Sequence, residues 1–161
     1  MQLASNYIIG TVAGLIATAP MTIFMELLYR KLPKSEKSPL PPRQLAMKVA
    51  ELTGVKQSLS PDVRFATTLA SHFSYGAAAG ALYAAAVKHP EASGSRKGAL
   101  FGAGVWLASY MGWIPALKLM TPASRHPARR SAIMISAHLI WGAATGLIMR
   151  QLSPSAVTSL R

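Results

Sequence analysis

The chain has 161 residues, 17 Lys and Arg against 5 Asp and Glu for a formal net charge of +12, and is 51% hydrophobic but only 14% charged. So few charged groups cannot wrap a soluble core, and with no aromatic RNA-reading motif beside the positive charge, a nucleic-acid partner is excluded as well. Cysteine is absent, which removes disulfides, thiolate metal sites and cysteine nucleophiles.

Four stretches contain no Asp, Glu, Lys or Arg: 1–25, 65–87, 98–117 and 131–149. A membrane-crossing helix takes about 20 mostly apolar residues at 1.5 Å each, so each stretch reads as a span. The expected fold is all-α, a four-helix transmembrane bundle forming one integral membrane domain over 1–161, with spans at 7–29, 62–88, 98–119 and 128–150. Span one is expected to be retained, since Met1 to Met25 has no basic residue and no convincing cleavage site.

In span one, Gly10, Gly14, Thr18, Thr22 and Glu26 fall on a four-residue ladder, which is expected to turn Glu26 inward at the end of the span. The insert 30–60 follows. Its Pro39-Leu40-Pro41-Pro42-Arg43 is a stiff element, and Leu45, Val49 and Leu52 ahead of Gly54 predict a short interfacial helix over 44–53. Arg43, Lys48 and Lys56 suit it to anionic lipid headgroups, with capping of the bundle end as the equal alternative. Ser60-Pro61-Asp62 then starts a helix with a capping serine, proline at the first helical position and an acid on the positive dipole end.

Span two contains His72-Phe73-Ser74-Tyr75-Gly76 and Gly80, and span four contains His138-Leu139-Ile140-Trp141-Gly142 and Gly146. Both follow H-x-x-x-G-A-A-x-G, 66 residues apart, so the chain reads as two tandem helical hairpins. Spans one and three give a weaker echo, Gly10 and Gly14 before Pro20 and Gly98 and Gly102 before Pro115. Every span thus carries Gly-x-x-x-Gly, a pattern that lets backbones approach and marks the inward faces. For so small a bundle, homo-oligomerisation through these faces is also expected. Pro20 and Pro115 should kink spans one and three. Lys118 should snorkel to the headgroups.

Twelve basic residues lie in the first and third loops: Arg30, Lys31, Lys34, Lys37, Arg43, Lys48, Lys56, Arg64, Lys118, Arg125, Arg129 and Arg130. Five, namely Lys88, Arg96, Lys97, Arg150 and Arg161, lie on the other side, so the insert should be cytoplasmic and both termini periplasmic. Arg129 and Arg130 also suit headgroup anchoring.

Glu26, His72 and His138 should sit at similar depth and form an intramembrane polar site. Imidazoles that can exchange protons near neutrality point to a small transporter-like or channel-like bundle with a proton-titratable centre. Neutral histidines that merely hydrogen-bond neighbouring helices are the plainer reading. Two further readings are a b-type haem on axial His72 and His138, with Arg64, Arg129 or Arg130 meeting propionates, and a non-catalytic interaction or lipid-binding protein. No nucleophile–base pair, carboxylate-rich metal set or phosphate loop supports an enzyme.

Three pieces, Lys37-Ser38-Pro39-Leu40-Pro41-Pro42-Arg43, Ser71-His72-Phe73-Ser74 and Ala137-His138-Leu139-Ile140-Trp141, resemble the YagU-like family of bacterial inner-membrane proteins. The chain departs from the better-known members in its shorter second-to-third loop. The resemblance implies residence in a bacterial inner membrane and supplies no substrate.

Overall fold

In a computed structural model, residues 2–87 and 93–153 are described. Lys88 and Arg161, counted above among the loop charges, lie outside them. The described residues are helical without a strand: α1 (Gln2–Arg30), α2 (Pro41–Leu52), α3 (Pro61–Ala86), α4 (Ser95–Leu107), a widened π-helical turn (Ala108–Trp113), the short α5 (Ile114–Ala116) and α6 (Ala128–Gln151). At the start of α3, Ser60 Oγ accepts from the Val63 N–H at 3.4 Å. Two helices, Ala4–Arg30 and Ala128–Gln151, are long and apolar enough to cross a membrane. Helix α3 is diluted by Ala, Gly, Ser and Thr, and α4 is cut short by the widened turn.

Helix α1 packs along α3 and α4 along α6, while α1 and α6 join the two pairs and α3 and α4 barely touch. Glycine dictates both crossings. In the first, a Cβ on Gly14 would land on the Gly76 carbonyl oxygen, and one on Gly80 on that of Gly10. In the second, a Cβ on Gly98 would land on the Gly142 carbonyl oxygen, and one on Gly146 on that of Gly94. With no side chain between them the backbones touch, which is how helices associate where no hydrophobic drive separates protein from solvent.

These contacts shift the echo between the first helices by one turn. Gly14 faces Gly76 as Gly98 faces Gly142, so Gly10 and Gly14 correspond to Gly94 and Gly98, and Thr18 stands where the second pair has Gly102. Because glycine recurs every fourth residue from Gly94 to Gly102, the pattern slides onto itself by one turn and cannot fix its own register. Gly10, Gly14, Gly76, Gly80, Gly98, Gly102, Gly142 and Gly146 all meet partners within the chain, so these faces are already filled and are not free for self-association.

The two prolines also differ. Helix α1 runs through Pro20 as one helix, with the ring on its exposed side. Near Pro115 the irregularity comes earlier, at Gly112 (φ −107°, ψ −109°), where the Ile114 N–H reaches five residues back to the Ser109 carbonyl. Pro115 has no N–H for the Met111 carbonyl, and its ring crowds that oxygen, so the preceding turn opens. Lys118 closes the segment at φ 55°, with the Leu119 N–H on the Ile114 carbonyl at 3.1 Å. That left-handed position usually takes glycine.

The outward side chains are large and apolar along all four long segments, with Ile8 64%, Phe65 67%, Leu82 65% and Leu100 68% exposed. The interior includes Thr18, Ser109, Thr145, His138 and Arg130, all buried. Arg130 points into the insert rather than out to headgroups, donating from Nη1 to the Ser38 carbonyl at 2.8 Å and from Nη2 to the Pro39 carbonyl at 2.6 Å. Arg64 likewise donates to the Leu59 and Lys56 carbonyls, each at 3.0 Å. The insert and the chain leading into α6 therefore meet at one end of the bundle.

Candidate functional site

A cavity of about 430 Å³ lies at that end, beneath α2. The turn types explain how α2 is held there: Pro41 and Pro42 open the helix, and Gly54 at φ +77° closes it, with the Val55 N–H on the Ala50 carbonyl. Helix α2 turns Pro41, Ala46 and Ala50 inward and lays Leu45 and Val49 over the opening. Its apolar side thus caps the bundle, the second of the two roles its pattern suggested. The remaining wall comes from Thr18, Met21 and Met25 of α1, His72, Tyr75 and Gly76 of α3, Ser109, Tyr110 and Trp113 of the widened turn, and His138 and Trp141 of α6. No Asp, Glu, Lys or Arg is among the lining residues.

His72 and His138 share this cavity, as their matching places on α3 and α6 require. His138 Nδ1 lies 2.8 Å from the Met134 carbonyl and can bond it only as N–H donor, which leaves Nε2 of the neutral ring as an acceptor. The Tyr110 ring meets the His138 ring edge-on at 5.6 Å and 85°, fixing its orientation. His72 Nε2 is buried without a hydrogen-bond partner. On the same cavity wall, Tyr75 Oη and Ser109 Oγ are 2.7 Å apart and tie α3 to the widened turn. Trp141 Nε1 donates to the Gly14 carbonyl at 3.1 Å, an oxygen left reachable because Gly14 has no side chain.

Glu26 does not join the histidines. Its Oε1 accepts from Arg30 Nε at 3.2 Å, on a partly exposed part of α1 outside the cavity. At about 100° per residue, sixteen residues leave Glu26 roughly 160° from Gly10, so the four-residue ladder has drifted to the far side. Met25 takes the inward place instead, within about 20° of Thr18.

Of the three basic residues assigned to lipid, Lys48 and Lys56 each meet Glu51 at 2.9 Å, while Arg43 is exposed. Hydrogen bonds from Lys48 and Lys56, reinforced by their charge, pull the Glu51 carboxyl down to about 2. No group of three metal-ligating side chains occurs among the described residues. Tyr75, Ser109, Tyr110 and Trp141 were not singled out for the site from sequence. Tyr75 and Trp141 sit three residues after His72 and His138 and were within reach of the repeat, whereas Ser109 and Tyr110 owe their positions to a widened turn that no periodicity announces.

No curated protein and no solved structure matches the chain. The model of a family described as "Protein of unknown function (DUF1440)" matches residues 26–147, from the last turn of α1 through most of α6, and the chain belongs to that family.

Proposed function

We propose that the chain is an integral membrane protein of four spans, formed by α1, α3, the α4 to α5 segment and α6, and that it is a transporter-like bundle taking a neutral solute into the cavity beside His72 and His138. The observation that carries this reading is the distribution of side chains: apolar groups face outward on all four segments, and the interior encloses a cavity with imidazole, phenol and hydroxyl groups but no charge. Such an arrangement suits hydrocarbon outside and a small polar head inside. The twelve basic residues of the first and third loops fit a cytoplasmic α2 end with both termini periplasmic, and the resemblance to the YagU-like family implies a bacterial inner membrane.

A channel for ions fits less well, because pores use rings of charge or carbonyls and this lining carries no charged side chain. A proton relay lacks its carboxylate, since Glu26 is paired with Arg30. Haem loses Arg64 and Arg130 as propionate partners, both being engaged by backbone carbonyls.

The test is chemical access in a chain that has no native cysteine. A cysteine at Met21, on the cavity wall, should react with a small membrane-permeant maleimide in intact membranes, and one at Ala17, fully buried in the core, should not. Equal protection of both would remove the cavity. In liposomes, neutral solutes should exchange across the bilayer in a manner lost with His138→Leu, without a proton or ion current.

A further inference from the structure

The bundle is loosely closed between α3 and α4. Because α3 and α4 barely touch, a second hollow of about 440 Å³ lies between them on the outer surface, lined in part by Leu82, Gly104 and Ala108. It shares Tyr75, Ala79, Val105 and Trp113 with the inner cavity, so the two spaces meet at one wall. At Gly104 an added side chain would meet nothing within 4 Å, which leaves the cleft open there. Under the four-span reading, this cleft faces lipid hydrocarbon, while α2 covers the cytoplasmic end.

The chemistry of the inner wall limits what can stay. An ion would lose its hydration against a lining without a counter-charge, so the occupant is neutral. A purely apolar occupant would leave His138 Nε2 without a partner. His138 presents an acceptor, and a hydroxyl can donate to it.

We propose that the solute is a lipophilic molecule carrying one hydroxyl, an alcohol or phenol on an apolar body, which reaches the cavity from within the bilayer through the α3–α4 cleft. Its O–H donates to His138 Nε2, and its apolar body lies against Met21, Met25 and Val105. This rests on the membrane reading above.

The experiment uses the full-length protein in lipid nanodiscs with 4-heptylphenol and its methyl ether, followed by quenching of the tryptophans, two of which line the cavity. The phenol should bind about tenfold more tightly than the ether, the worth of one buried hydrogen bond. His138→Leu should erase that difference while the ether still binds. Gly104→Trp, which fills open space and leaves both histidines untouched, should slow phenol binding at least tenfold. Equal affinity for phenol and ether in the wild-type protein overturns the hydroxyl assignment, and an unchanged rate in Gly104→Trp overturns the lateral route. If a cysteine at Met21 remains reactive but no phenol binds, the cavity stands and this ligand class is wrong. If neither occurs, the membrane cavity itself falls.

Discussion

The α1–α3 and α4–α6 pairs cross on the same glycine register, yet they differ where the cavity lies. The first pair carries the insert with α2 between its helices, and the second carries the widened turn ahead of Pro115. Both departures contribute wall: α2 supplies the cover, and the turn supplies Ser109, Tyr110 and Trp113. What the two pairs share is therefore frame, and what distinguishes them is site. Thr18 in the place of Gly102 makes the same point, since it adds a side chain to the cavity wall whose hydroxyl donates to the Gly14 carbonyl, while Gly102 only admits the His138 backbone.

The largest effect should come from breaking the shared frame. Gly98→Leu or Gly142→Leu drives a side chain into a facing backbone that cannot step aside, at about 3 kcal/mol or more. Thermal unfolding in detergent should show early loss of folded protein for both. Gly104→Leu, placed on the same helix as Gly98 but in open space, should stay within about 0.5 kcal/mol of wild type. A Gly142→Leu protein as stable as wild type would mean that the crossings are looser than their contacts imply.

The next effect should separate cover from frame. Arg130 is 3% exposed and holds two carbonyls of the insert from the start of α6. Arg130→Met should cost about 2 kcal/mol, and Arg130→Lys should rescue little, because an ammonium cannot reproduce the two-pronged guanidinium. Proteolysis between α1 and α3 should speed up in both variants before the bundle melts, whereas loss of cover and bundle together would deny α2 its separate role.

How much of this was readable depended on the length scale of each signal. Helix positions followed from charge-free runs and from Ser60-Pro61-Asp62, both of which act locally. The histidine pair was legible because Gly76 and Gly142 lie one turn beyond His72 and His138, close enough for the helical angle to remain accurate. Glu26 was misplaced because the same rule was extended over four turns, across which about 160° of drift accumulates. The one-turn error in matching Gly10 with Gly98 has another source, since equally spaced glycines carry no register of their own. Arg130 looked like a headgroup anchor because its partners, the Ser38 and Pro39 carbonyls, are more than ninety residues away in sequence.

Two smaller effects refine the comparison. Lys118→Gly relieves a left-handed residue at the end of the second pair, the position that Gly54 already fills after α2, and should stabilise by about 1 kcal/mol. Glu51→Gln should change stability least, as that carboxylate is exposed. Its carboxyl is held down at about 2 against an ordinary 4.5, so its contribution is present above pH 4.5 and lost as the pH falls toward 2. The variant should flatten that acid limb and strengthen binding to anionic vesicles at low salt, since Lys48 and Lys56 lose their neutralising partner.

The most direct test of the four-span arrangement is labelling of single cysteines placed at Ser38 and Ser95 in intact cells with a membrane-impermeant maleimide. Both positions are exposed, the first at the α2 end of the bundle and the second at the start of α4. The cysteine at Ser95 should react from outside, and the one at Ser38 only after the membrane is opened. Reaction of both from the same side would contradict the four-span bundle.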